Sequence, residues 1–427
     1  MEKTVKKEID ETKHKVDHLL LLIGKNPLPN AVAGKLLVKN GGSITMLYTA
    51  DTVPERKNLE KFLSGVTFNE PVEIDEADAS SIFQGMDKAL KENKGPSQSI
   101  GLHYTGGTKA MSTHAYRAVE RWCNKNAPNA QLVFSYLDAR SLEVVFDPLN
   151  PKSDSSERVY LGDKVKIALE QLIGLHGWSF KKRFEKPMLP AQKALLPSTA
   201  KALAQLYSTN EGMNAWRDWK SKSSGLSKCK TDGEWDKSKI KNATLVLSND
   251  PLFDAVNNSL KKELSLSSLQ ISLASIPVSP LGGKGLCEWL DGKWLEHHVL
   301  QCLVDLQKPP DSLGLHGCCT SIETEEIHFE VDVVGLRGYQ LFAFSCGTGS
   351  KEQFKLKLFE AFVRARQLGG DEARVALVCP ADRDFVDKLL YEMSRDIEPD
   401  SRIQVFGQDE FADLKTSIGN WIQEQSR

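Results

Sequence analysis

The sequence predicts an α/β protein with two separate sheets, joined by a smaller, mostly helical segment. Three observations predict it. Apolar strands alternate with amphipathic helices from His18 to about Arg117. A strand at 99–104 ends in a Gly-Gly turn and runs straight into a helix. Near 328–334 an otherwise apolar strand carries two acids, and further strand–helix units follow it. Period-2 apolar runs between 3.6-period segments are the pattern of sheets covered by helices.

A chain of 427 residues has room for two or three cores, and composition shifts divide it at 1–177, 178–284 and 285–427. No apolar run reaches the roughly 20 residues of a membrane span, and the charged start carries no signal-peptide core. The 8 cysteines are scattered without a CxxC pair, which excludes a zinc ribbon or a disulfide scaffold and points to a reducing cytoplasm. A net charge of −2 gives no global footprint for nucleic acid, so any polyanion site is a local one.

In order, strands are expected at Leu19–Ile23, Ile44–Thr49, Val72–Asp75, Ser99–Tyr104 and Gln131–Leu137, with Leu142–Phe146 pairing back as a hairpin. Helices are expected from Ala31, from about Pro54, at 79–92 and from Ser112. This is a parallel, doubly wound sheet. In such sheets ligands sit at the carboxyl ends of the strands. Three loops fall there: Gly24–Asn30, Thr49–Thr52 and Thr105–Met111. In the last, Gly106 and Gly107 let backbone approach a ligand, and the helix start offers free N–H groups. Thr105 and Thr108 add hydroxyls and Lys109 a point charge. The spacing is not that of a Walker A loop, and no GxGxxG follows the first strand. An ordinary strand-to-helix turn with Thr108 as N-cap is the competing reading.

The first-strand loop Asn26-Pro27-Leu28-Pro29-Asn30 together with Thr105-Gly106-Gly107-Thr108-Lys109-Ala110-Met111 resembles the CARF (CRISPR-associated Rossmann fold) domain over about 15–150. The resemblance implies a cyclic oligoadenylate held across a homodimer interface. It implies ligand roles for Asn26, Pro27, Thr49, Thr105, Gly106, Gly107, Thr108, Lys109 and Met111, although Met111 by itself reads as core.

A strand at Arg158–Leu161 and a helix at Lys164–His176 close the first unit. Ser179–Lys186 interleaves basic and aromatic residues, a nucleic-acid contact or simply a solvated edge. Between Pro187 and Pro280, helices such as Thr199–Tyr207 and Leu252–Leu264 are joined by Ser/Lys/Gly-rich connections, notably 220–241, and nothing there announces chemistry.

The third segment opens with a helix over 285–300 containing Glu296. Strands follow at Cys319–Thr324 and Ile327–Val334. In the second, Glu330 and Asp332 share one face. Two carboxylates on a central strand are costly unless a cation opposes them, and a hard metal ion is the usual one. A turn at Gly335–Gly338, a strand at 339–347, a helix at Lys351–Arg366 and two more strand–helix units complete the chain.

The Trp294-Leu295-Glu296 helix, the Val331-Asp332-Val333-Val334 strand and the Leu368-Gly369-Gly370 helix end resemble the PD-(D/E)XK nuclease half of CARF-containing CRISPR ancillary nucleases. The resemblance implies a restriction-endonuclease-like α/β domain. It implies metal ligation by Glu296, Asp332 and the main-chain carbonyl of Cys346, with Mg²⁺ or Mn²⁺. The Glu-x-Lys half-motif is missing, because the third strand ends Ser345-Cys346-Gly347. A replacement lysine is sought on the next helix, with Lys357 favoured over Lys355 and Lys351; two of these two residues apart do not face the same way.

The expectation is a homodimeric, cyclic oligoadenylate-activated nuclease of type III CRISPR antiviral defence. Cyclic tetra-adenylate is the expected activator, DNA and/or RNA the substrate, and no membrane is involved. Two alternatives stand beside it: a cyclic-nucleotide sensor with a degenerate, inactive nuclease domain, and a sensor that degrades its own ring through Lys109 and nearby hydroxyls.

Overall fold

Every residue of Val16–Leu22 (β1) is buried, which places that strand in the middle of a sheet covered on both faces. In the computed structural model, which describes residues 11–93, 98–148, 155–161, 164–183, 186–187, 191–222, 225–323, 330–396 and 402–425, β1 is indeed central. Its neighbours are β2 (Val38–Tyr48) and β5 (Ser99–His103), both parallel to it. β3 (Thr67–Phe68) and β4 (Val72–Glu73) pair with β2 on one side. On the other, β6 (Gln131–Asp138) is parallel to β5, and β7 (Glu143–Phe146) and β8 (Glu157–Tyr160) continue antiparallel. The order is β3-β2-β1-β5-β6-β7-β8. The winding reverses between β1 and β5, so the crevice such a reversal opens lies at Gly24 and Gly106–Gly107.

The second sheet runs β9 (Leu315–Glu323), β10 (Glu330–Arg337), β11 (Gln340–Cys346), β12 (Arg374–Val378) and β13 (Ile403–Phe406), in that order. The first three are antiparallel and the last three parallel. Alternate residues face opposite ways along each strand. Val333, Phe342 and Phe344 pack with the Trp294–Asp305 helix. Leu336, Leu341 and Ala343 pack with the Lys351–Gly369 helix, in a cluster that extends into the first unit as far as Leu21.

Several expectations need correction. The helix expected over 164–176 covers only Leu169–Leu175, because the preceding stretch is tied to the second sheet, with Ile167 N donating to Gly338 O at 3.1 Å. The turn expected at Gly335–Gly338 is only Gly338-Tyr339, since Gly335, Leu336 and Arg337 stay paired with β11. The segment 191–284 is helical at Pro197–Tyr207, Asn210–Ser221, Lys237–Asn242 and Asp254–Glu263, with two small antiparallel pairs. Its described residues share a core with the second sheet: Trp216 and Leu226 belong to the same cluster as Trp294 and Phe344. Phe184, Glu185 and residues 324–329 lie outside the described residues, as do the side chains of Lys182, Arg183, Lys186 and Glu330.

Candidate active site and sensor loops

The helix expected over 285–300 starts at Gly282 and runs to Asp305, interrupted by one π turn at Trp289–Lys293. Such a bulge re-aims the side chains around it and recurs at functional sites. Here Asp291, Lys293 and, further on, Glu296 line one cavity of about 560 Å³ with Cys346 and Lys357.

Asp332 lies just beyond this cavity, behind Cys346 and Lys357, which line it. Its Oδ2 accepts from Ser345 Oγ at 3.2 Å and from Cys346 N at 2.7 Å, so strand β11 fixes the carboxylate of β10. Glu296 and Asp332 converge on Cys346. Burial pushes that thiol well above its ordinary range, and the Asp332 and Glu296 charges push it further. Among the described residues no group of three or more His, Cys, Asp or Glu is placed to hold a metal ion. An ion here would rest on two carboxylates and the Cys346 carbonyl. Three hard oxygens fit Mg²⁺ or Mn²⁺, which keep several waters and take few protein ligands.

The three candidate lysines separate cleanly. Lys357 Nζ donates to Cys346 O at 3.2 Å and lies 3.9 Å from Asp332 Oδ2. Lys351 pairs with Asp382, and Lys355 with Glu392 at 2.8 Å. Lys355 therefore does not reach the carboxylates, and its expected catalytic role is corrected: two residues along a helix turn a side chain through about 200°. A Cβ on Gly347 would lie 3.3 Å from Lys357 Cδ and 3.1 Å from Phe354. The helix lysine occupies the space that a side chain at the strand end would need.

Sequence reasoning missed the residues that the middle segment and the π turn bring here. Lys220 and Lys230 hold Asp291 at 3.1 and 2.9 Å. Burial pushes the Asp291 carboxyl up, but the two ammonium groups outweigh it and leave the group below its ordinary range. Arg217 Nη2 donates to Thr348 O at 3.4 Å and Gly349 O at 3.3 Å, bracing the loop after β11. Only the Trp-Leu-Asp-Gly-Lys run at 289–293 carried a local signal, a glycine inside a helical pattern.

At the first sheet the loops after β1 and β5 touch. A Cβ on Gly24 would sit 2.6 Å from Gly107 N, and one on Gly106 would sit 2.0 Å from Leu22 O. Asn30 Nδ2 donates to that same Leu22 oxygen at 2.8 Å. Gly107 has φ +76°, and Thr108 caps the Lys109–Asn126 helix, its Oγ1 accepting from Met111 N at 3.2 Å. Gly107 and Lys109 are exposed and Thr108 half-buried; these three remain available to a ligand, with the Gly106 backbone behind them.

The other five expected ligand residues are buried or already bonded within the chain, though Thr49 still lines a cavity of about 540 Å³ with Asp51 and Glu73. Met111 is fully buried, with its thioether packed under Gly107. The Thr105 hydroxyl accepts from Leu137 N at 2.6 Å and lies 3.0 Å from His103 Nε2. Burial lowers the His103 imidazole to about 3, so it is neutral. Thr49 is buried, its Oγ1 3.2 Å from Thr52 Oγ1. Pro27 is buried ahead of the Leu28–Leu37 helix. Asn26 faces the second unit, where its Nδ2 donates to Glu372 Oε2 at 3.1 Å. The competition is physical: a hydroxyl or amide beside a buried polar group is spent on it.

The fold is that of a two-sheet α/β protein whose second sheet carries Asp332 beside Lys357. Residues 285–425 match the family described as "Card1-like, endonuclease domain". Two solved structures share the whole architecture. Protein VC1899 from Vibrio cholerae aligns with a TM-score of 0.64 at 15% identity, over 96% of this chain and 98% of that one. Can2 from Sulfobacillus thermosulfidooxidans, solved in complex with cyclic tetra-adenylate, aligns with a TM-score of 0.62 at 14% identity, over 95% and 99%. No curated protein matches the sequence. Among the described residues no helix is long and apolar enough to cross a membrane.

Proposed function

We propose that this protein is a cyclic oligoadenylate-activated, metal-dependent endonuclease of type III CRISPR antiviral defence, acting as a cytoplasmic homodimer. The observation that carries the reading is the position of Lys357 Nζ. It lies 3.2 Å from Cys346 O and 3.9 Å from Asp332 Oδ2, within the segment that matches Card1-like endonucleases. Can2, of the same fold, was solved with cyclic tetra-adenylate, and that ring is the activator proposed here.

Glu296, Asp332 and the Cys346 carbonyl would hold Mg²⁺ or Mn²⁺, which supplies a water of lowered pKa and neutralises a phosphodiester. Lys357 orients the attacking water and offers its ammonium to the charge that develops on phosphorus. Ser345 and the Cys346 N–H keep Asp332 aimed. On the sensor side, Lys109 and the Gly106–Thr108 backbone bind the ring phosphates. An activator of this kind works only if it binds one state of the dimer better than the other.

One observation favours a second reading, a sensor with an inactive nuclease domain: neither Ser345 nor Gly347 restores the missing Glu-x-Lys side chains. The test uses labelled single- and double-stranded DNA and RNA, with and without cyclic tetra-adenylate, in Mn²⁺ or EDTA. Cleavage that needs both ring and cation, and that Asp332→Ala removes while ring binding survives, supports the nuclease. Ring binding without cleavage under every condition selects the inactive sensor. Following ring integrity by chromatography in the same samples tests degradation by the sensor itself.

A further inference from the structure

The cavity beside Lys357 has no net charge with which to attract nucleic acid. Lys220, Lys293 and Lys357 line it, and so do Glu288, Asp291 and Glu296; Asp332 lies just beyond. The chain as a whole carries −2. The side chains alone thus supply little of the phosphate attraction that dominates most nucleic-acid affinity, and the cation proposed above would hold the scissile phosphate rather than the strand on either side of it. A strand held in this cavity needs a second source of binding energy, and an aromatic face is the sequence-tolerant one.

Among the described residues lining the cavity, two are aromatic: Phe354 and Trp235. Phe354 is only 2% exposed and has no face to offer. Trp235 is half-buried, wedged against the core yet open to the cavity. It sits on a short hairpin in which Lys230 pairs with Trp235 and Thr231 with Glu234. The two turn residues, Asp232 at φ 52° and Gly233 at φ 85°, suit the tight turn that such a hairpin requires. The hairpin is also anchored. Lys230 Nζ lies over one face of the Trp235 ring, 4.3 Å from its centroid, which leaves a base only the other face; the same ammonium is 2.9 Å from Asp291 Oδ2 and fastens the hairpin to the π turn ahead of Glu296. It lies outside residues 285–425, the part that matches the endonuclease family.

We propose that Trp235 is the base-stacking residue of the nuclease site: it takes one unpaired nucleobase of the substrate strand and so seats the neighbouring phosphodiester beside Asp332 and Lys357. The proposal rests on the nuclease reading and adds its strand-holding subsite. Stacking on a pre-positioned ring lowers KM and leaves the chemical step to the carboxylates and Lys357.

The test uses the full chain with cyclic tetra-adenylate and Mn²⁺ on a labelled single strand. Once the cut is mapped, single abasic sites are scanned around it. In the wild type one abasic position within a nucleotide or two of the cut raises KM about tenfold, the size of one lost stack. Trp235→Ala raises KM on the intact strand by a similar factor, leaves kcat within about twofold, and no longer distinguishes the abasic strand. Trp235→Phe recovers most of the loss together with the discrimination against the abasic strand, which a role in folding alone does not predict. A wild type indifferent to every abasic position, or a Trp235→Ala variant that still discriminates, overturns the proposal and leaves the nuclease reading intact. Strand binding is followed in parallel by fluorescence anisotropy in Ca²⁺. If the wild type does not cut, weaker binding by Trp235→Ala still supports the stacking role. If the wild type neither cuts nor binds, the proposal falls with the nuclease reading.

Discussion

Asn26 and Glu372 are 346 residues apart in sequence and joined by a 3.1 Å hydrogen bond, which ties the loop after β1 to the turn that ends the Lys357-bearing helix. The turn fits Asn26 closely: a Cβ on Gly370, whose φ is +68°, would come within 2.5 Å of the Asn26 amide. Next to it Arg374, 1% exposed, donates to Ala139 O at 3.2 Å and Arg140 O at 3.1 Å in the first unit. The first-sheet loop thus touches the C-terminal end of the helix that carries Lys357 in its second turn.

Glu372 makes this contact pH-dependent. Burial pushes its carboxyl up to about 7, against the Asn26 hydrogen bond that lowers it. A raised folded-state pKa means that the protonated form is favoured on folding, so its stability contribution is complete below about 4.5 and is lost as pH rises to about 7. The whole effect is roughly 3 kcal/mol at most. Glu372→Gln should raise the melting temperature relative to wild type at pH 8 and leave it nearly unchanged at pH 4.5. Equal shifts at both pH values would contradict a carboxyl that titrates in this range.

Asp332 has two donors already in place, so Asp332→Asn should preserve the local strand geometry while removing the charge. Cleavage should fall by at least about a hundredfold, as expected when charge stabilisation in a transition state is lost. Cyclic tetra-adenylate binding, measured by calorimetry, should stay within about twofold, because the ring is proposed to bind at the other sheet.

Lys357→Ala and Lys355→Ala form a controlled pair on one helix. The first removes the ammonium beside Asp332 and Cys346 and should cost about 10²- to 10³-fold in kcat. The second removes an exposed ion pair with Glu392 and should change kcat less than about twofold. A larger loss from Lys355→Ala would reverse the assignment.

Lys109→Ala and Met111→Ala separate ring binding from packing. Lys109 is exposed, so its loss should weaken ring binding without lowering the melting temperature. Met111 is fully buried, and truncating it should destabilise the protein by about 2–5 kcal/mol, visible by thermal unfolding without ligand.

Local order determined what the sequence alone could tell. The buried run of β1, the Gly106-Gly107 turn with its Thr108 cap, and the strands Arg374–Val378 and Ile403–Phe406 follow from periodicity and capping chemistry, which act over a few residues. The apolar pattern by itself singled out Glu330 and Asp332, because a charge within it is costly; Glu296 came from the family resemblance. Tertiary structure decided what depends on distant neighbours. Only packing could show that Lys357 and not Lys355 meets Asp332, and that Asn26 is spent on Glu372. The same holds for Trp235, which arrives from a segment without local signal. A hydrophobic period reports which face of an element is buried; which other element covers that face is set by the whole chain at once.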